Sequence, residues 1–251
     1  MSATSWIEHA RPLLDLVEAQ SHALERASRI CADAIAADGL VHLFGTGHSR
    51  IPVEEMFPRY GSYPGFNPLV ELSMTFHTQV VGANGQRQAM FIERTPGLAE
   101  VILSNFDLHP PDAMVVISHS GGNAVPVEMA QGARARGLPV IAITSVAHAE
   151  AAGGDGPSLR DHADVVLDLC TPPGDALVEV EGFPARVGPG STFTGVTLVN
   201  CVKVRTAELL AERGIALPVI SSGVTVGARS EELFDAAYRE HARRVSGLLR
   251  A

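Results

Sequence analysis

The sequence predicts an α/β fold: a three-layer αβα sandwich, flavodoxin-like, around a doubly wound, mainly parallel sheet of five strands, with a helical arm at its N-terminus. Three observations point there. Short apolar runs recur without polar alternation, as strands covered on both faces require. Each run ends in small or polar residues, with helical patterns in between. At 251 residues, 46% of them hydrophobic and 19% charged, the chain can bury one substantial core.

Residues 5–37 carry Ile7, Leu13, Leu14, Val17, Leu24, Ala27, Ile30, Cys31 and Ile35 at spacings that mix threes and fours. That spacing makes one apolar helical stripe. Pro12 is expected to kink the stretch or split it in two. The stripe has nothing of its own to pack on. Residues 1–38 are therefore read as an arm lying on the main domain, residues 39–251, or on a second subunit.

Residues 40–44, 113–117, 140–143 and 165–169 read as buried strands. They close on Gly45-Thr46-Gly47, Ser118-His119-Ser120-Gly121, Thr144-Ser145 and Cys170-Thr171-Pro172. A helix over 124–136 ends at Gly137, a C-cap. Right-handed crossovers place these strand ends on one rim, where doubly wound sheets bind ligands. Two regions break the rhythm. Residues 64–94 mix polar and apolar residues with Gly82, Asn84 and Gly85 and read as an insertion beside the rim. Residues 177–187 alternate around Gly182-Phe183-Pro184 and read as a small hairpin. Helical stretches over 192–213 and 230–249 follow.

A net charge of −9 without a clustered basic face excludes a nucleic-acid groove. The densest basic stretch, residues 239–244, is interrupted by Glu240 and reads as a solvated helix face. Cys31, Cys170 and Cys201 lack any C-x-x-C spacing and read as buried free thiols in a reducing compartment. Glu8 and Arg11 interrupt the start of the chain, and no apolar run nears the ~18–20 residues that span a bilayer. The expectation is a cytoplasmic protein with no membrane partner.

The segment from Ser118 to Asn123 is the most informative. Between a buried strand and a helix it brings two hydroxyls, two adjacent glycines and a helix N-terminus into one small volume. Gly121 and Gly122 let backbone N–H groups approach an anion, and Ser118 and Ser120 add hydroxyl donors. Three phosphate oxygens suit that arrangement. The plainer alternative is that Ser118, Ser120 and Asn123 only cap the turn and helix. Gly45-Thr46-Gly47 offers a weaker dinucleotide motif, but Arg50 occupies the third glycine position and the expected acidic residue is missing.

Residues 118–145 resemble the signature of the SIS (sugar isomerase) superfamily: strand, Ser-x-Ser-Gly, helix, Gly, strand, Thr-Ser. Gly45-Thr46-Gly47-His48-Ser49 is similar to the earlier loop of that superfamily. A narrower resemblance, to the phosphosugar-binding SIS-domain family UPF0309, is carried by several short segments. They are Gly47-His48-Ser49, Val53-Glu54-Glu55, Phe76-His77, Glu93-Arg94, Ser118 to Asn123 with Pro126-Val127-Glu128, and Pro173-Gly174-Asp175-Ala176. The chain departs from that family near Ser221-Ser222-Gly223, so no role is carried onto that loop. The resemblance implies that Ser118, Ser120 and Asn123 contact a sugar phosphate, with Gly47, Ser49, Gly121 and Gly122 lining its site. It also implies a homodimer or homotetramer.

Aldose–ketose isomerisation needs a group that moves a proton between adjacent carbons. Glu55, on the helix after the glycine loop, and His48, within that loop, are the catalytic candidates. Glu55 is preferred to Glu54 because its neighbours one turn back, Ile51 and Pro52, mark the less solvated side. His77, Glu93, Ser191 and Thr192 are possible substrate contacts. His119 is expected to point away from the serines, and His241 to lie on a solvated helix face or reach a neighbouring subunit's pocket. No H-x-x-x-H or H-E-x-x-H pair occurs, so neither a metal nor another cofactor is expected. The expected function is binding of a phosphorylated sugar with aldose–ketose isomerisation. The alternatives are a non-catalytic phosphosugar-sensing module, or a lyase related to N-acetylmuramic acid 6-phosphate etherase.

Overall fold

The computed structural model describes residues 3–75, 85–153 and 156–249. Five parallel strands form the central sheet: β1 (Val41–Gly45), β2 (Phe66–Pro68), β3 (Ala113–Ile117), β4 (Val140–Thr144) and β5 (Val165–Asp168). Their spatial order is β2-β1-β3-β4-β5. Strand order reverses between β1 and β3, so their loops diverge and leave a crevice at the carboxyl ends. The register pairs Gly45 with Ile117, which sets Thr46 and Ser118 side by side at the mouth of that crevice.

Residues of β1, β3 and β4 are buried at every position, and alternate side chains go to different helical layers. Val41, Leu43, Val115, Ile117, Ile141 and Ile143 pack on one face with Val17, Cys31, Ile35, Leu198 and Val202. These come from α1 (Ser5–Glu18), α2 (Ser21–Ala36) and a long helix, Ser191–Glu212. Phe44, Met114, Val116, Val140 and Ala142 pack on the other face with Leu103, Met129, Ala130 and Ala133. Each fully buried Val, Leu, Ile, Phe or Met side chain among them contributes about 1.5–3 kcal/mol.

The remaining helices of six residues or more, in chain order, are α3 (Arg50–Met56), α4 (Gly85–Ile92), α5 (Leu98–Leu103), α6 (Ala124–Ala135), α7 (Val146–Ala152), α8 (the helix Ser191–Glu212) and α9 (Arg229–Val245). β6 (Ala176–Val178) and β7 (Val187–Pro189) pair antiparallel as the expected hairpin. Among the described residues, no helix is long and apolar enough to cross a membrane.

Several sequence readings need correction. Pro12 sits inside α1, and the break falls at Ala19 and Gln20. β2 emerges from the stretch read as an insertion; at three residues it is too short to show a period, and pairing with β1 makes it a strand. Cys201 is exposed, because it lies on the outer side of α8. His241 is half-buried, with its ring 4.6 Å from that of Phe57.

Candidate active site

A cavity of about 350 Å³ opens at the crevice. The β1 loop supplies Thr46, Gly47, His48 and Ser49, and the β3 loop supplies Ser118, His119, Ser120 and Asn123. Glu93 and Arg94 line it from beyond α4, His148 from α7, Asp175 from the turn before β6, and Ser191 and Thr192 from the start of α8. His77 falls outside the described residues.

Two close approaches shape the loops. A Cβ on Gly45 would lie 2.5 Å from the Ser49 carbonyl oxygen, so the β1 loop folds back tightly only with glycine there. Gly121 has φ +63°, and a Cβ on it would meet Thr144 Oγ1 at 2.7 Å. The β3 loop is braced on the end of β4. Thr144 Oγ1 donates to the His119 carbonyl at 3.2 Å, and the Ser145 and Leu159 N–H groups donate to the His119 and Gly121 carbonyls.

Ser118 is buried, and its Oγ accepts from the Gly121 N–H at 3.3 Å. Ser120 Oγ has no hydrogen-bond partner among the described residues, nor do the Ser120, Gly122 and Asn123 N–H groups. Asn123 is the N-cap of α6, but its side chain makes no capping bond. Its Nδ2 instead donates to Glu93 Oε1 at 2.8 Å. The loop thus presents unpaired donors at the start of a twelve-residue helix, where the helix dipole favours an anion.

Glu93 is the acid joined to this loop. Burial pushes its carboxyl above the usual range, against the Thr46 hydroxyl bond and the nearby Arg94 charge, which act the other way. Thr46 Oγ1 donates to its Oε2 at 2.5 Å. The Val125 N–H donates to the Glu93 carbonyl, which ties its backbone to α6.

Glu55 lies elsewhere. It is on the less solvated side of α3, as expected, but that side faces α8. Its carboxylate accepts from Asn200 Nδ2 at 3.0 Å and pairs with Arg59. Lys203 Nζ donates to the Glu55 carbonyl at 2.7 Å. Glu55 lines a second cavity with Tyr60, Phe234 and Tyr238, so the structure does not bring it to His48 and the serines. His48 is exposed on the rim.

His119 lines the cavity, with its ring turned toward the residues that follow β5. Its Nε2 lies 3.1 Å from Thr171 Oγ1 and 3.8 Å from Asp175 Oδ1. Burial holds its pKa below the ordinary value, Asp175 opposes this, and His148 adds to it. Asp175 caps α8, accepting from the Gly190 and Ser191 N–H groups and from Ser191 Oγ at 2.6 Å. The Ser191 hydroxyl is thereby committed to Asp175.

Sequence reasoning did not single out His148 or Thr46. The rule that ligands meet the carboxyl ends of parallel strands was the signal for both. His148 follows Thr144-Ser145 by three residues, and Thr46 sits inside the glycine loop.

A family model described as SIS domain matches residues 5–145. A UPF0309 protein of Brucella ovis is 36% identical over 217 residues, 86% of this chain and 87% of its own length. The UPF0309 protein of Streptomyces coelicolor is 36% identical over 227 residues, 88% of each chain. A phosphoheptose isomerase from Francisella tularensis superposes with a TM-score of 0.51 at 16% identity, covering 83% of this chain and all of that one. At that identity the last likeness speaks for the fold. By the family match and these relatives, the chain belongs to the SIS domain family, among the UPF0309 proteins.

Proposed function

We propose that the cavity binds a phosphorylated sugar and interconverts its aldose and ketose forms. The observation that carries this is the juxtaposition of two unlike devices: a loop of unpaired donors at a helix N-terminus, and a carboxyl raised by burial and joined to that loop through Asn123. The Ser118 and Ser120 hydroxyls and the free loop N–H groups take the phosphate. One N–H of the Asn123 side chain orients Glu93, which leaves its second N–H for the anion.

In this reading the Glu93 carboxylate removes the C2 proton of the open-chain aldose. The C–H electron pair forms the C1–C2 double bond, the carbonyl π pair moves onto O1, and O1 takes a proton from water, giving the enediol. The Glu93 carboxylic acid then returns its proton to C1 while O2 gives its proton to water and the C2 carbonyl forms. A base of raised pKa suits this exchange, because it must give back what it takes. In the same reading, His48 at the rim and Thr192 at the start of α8, both lining the cavity, contact sugar hydroxyls.

The test is a thermal-shift panel of sugar phosphates, their unphosphorylated parents and inorganic phosphate, followed by an isomerase assay on any hit. A ligand at one hundred times its dissociation constant adds about 2.7 kcal/mol of stability. A shift with one sugar phosphate and not with its parent, accompanied by turnover, supports the proposal. Binding without turnover would favour a sensing role, and no response to any phosphorylated sugar at millimolar concentration would sink both.

A further inference from the structure

We infer that His148 is a substrate-contacting residue of this cavity: a neutral imidazole fixed as an Nε2–H donor toward the carbonyl and hydroxyl oxygens of the sugar, across from Glu93. The inference rests on the phosphosugar reading above and deepens it.

The Gly174 N–H donates to His148 Nδ1 at 3.0 Å. A ring nitrogen that accepts from a backbone N–H carries no proton, so the neutral ring holds its hydrogen on Nε2. Unlike a hydroxyl or a second imidazole, a backbone donor cannot reverse its role. In this ring orientation the tautomer follows from the backbone donor. His148 lines the cavity, and its Nε2 has no hydrogen-bond partner among the described residues.

The surroundings hold this geometry. The His119 ring lies 4.5 Å from that of His148, tilted by 58°, and limits its rotation. The turn that supplies the Gly174 N–H is anchored one residue on, where Asp175 binds the N-terminus of α8. Strand order separates the two walls. Glu93 joins the β1 loop through Thr46, whereas His148 follows β4. A sugar chain leaving the β3 loop runs between them. As C2 is deprotonated, charge builds on the carbonyl oxygen, and a preset neutral donor there stabilises the enediolate without itself giving up its proton.

The experiment uses the full chain. Selective ¹⁵N-histidine labelling with long-range ¹H–¹⁵N correlation, assigned by loss of signal in His148→Ala, reads the tautomer without ligand. The expected result is an unprotonated Nδ1 and a protonated Nε2; a protonated Nδ1 overturns the inference. Turnover is then measured with the sugar phosphate found in the panel. His148→Ala should lower kcat about 100-fold and leave the ligand's Kd within about threefold. His148→Gln, which keeps an N–H near the Nε2 position, should recover about tenfold of the loss; a purely structural histidine would show no such kcat-specific rescue. Full kcat in His148→Ala, or Gln no better than Ala, overturns the donor role and leaves the function standing. If no sugar phosphate binds or turns over, the functional reading itself has failed and the donor role falls with it.

Discussion

Glu93 Oε1 accepts a hydrogen bond from Asn123 Nδ2 at 2.8 Å, joining the end of one helix to the N-cap of another across the mouth of the sheet. The bond turns the Asn123 amide toward Glu93, and the side chain makes no capping bond to α6. It also places an acid of raised pKa beside a loop built for anions.

Glu93→Gln should abolish isomerisation and spare binding. Gln keeps an oxygen for Asn123 and turns its amide to Thr46, whose hydroxyl can accept. A loss of 10²–10⁴ in kcat is expected for removing a general base, with the Kd for the sugar phosphate nearly unchanged by calorimetry. Loss of binding in parallel would count against the base assignment.

The same residue predicts a pH dependence. Its folded pKa is raised by burial, so its contribution to stability is fully present below the ordinary carboxylate value. That contribution is lost as pH rises through the folded pKa. The wild type should lose Tm relative to Glu93→Gln across that window. In contrast, kcat/KM should rise over it, because the base must be ionised. Parallel thermal and kinetic pH profiles would check both signs.

Ser120→Ala should separate binding from folding. Ser120 Oγ has no partner among the described residues, so the ligand-free melting temperature should stay within error. Loss of a hydrogen bond to a charged phosphate costs about 1.5–3 kcal/mol, read as a 10- to 100-fold weaker Kd. An unchanged Kd would remove Ser120 from the phosphate site.

Glu55→Gln is expected to cost stability rather than turnover. The side chain is 16% exposed and holds Arg59 and Asn200 between α3 and α8. Replacing it should lower stability by about 1 kcal/mol, with kcat unchanged. A kcat loss comparable to that of Glu93→Gln would restore Glu55 as the base.

Gly121→Ala should disable the loop as a unit. The positive φ and the 2.7 Å approach to Thr144 Oγ1 make alanine both strained and crowded, at a cost of about 1–3 kcal/mol. Phosphate binding should be lost with it, seen as no shift with any phosphorylated ligand.

The doubly wound sheet was legible in the residue pattern, because runs such as 113–117 and 140–143 are apolar on both faces and a covered parallel sheet buries both. So was the anion loop, because Ser118 to Gly122 are contiguous and their meaning is local. Tertiary structure decided everything that depends on which way a helix turns. Periodicity marked Glu55 as less solvated but could not say whether that side meets the cavity or α8, and it meets α8. Glu93, thirty residues before Asn123, joins the loop only because the end of α4 is tied to the start of α6 through Val125 and Asn123. His148 becomes a donor of fixed tautomer only because the turn at Gly174, twenty-six residues later, returns a backbone N–H to its ring. Strand patterns report burial at one position, whereas a site is a set of contacts between distant positions, and only packing brings those together.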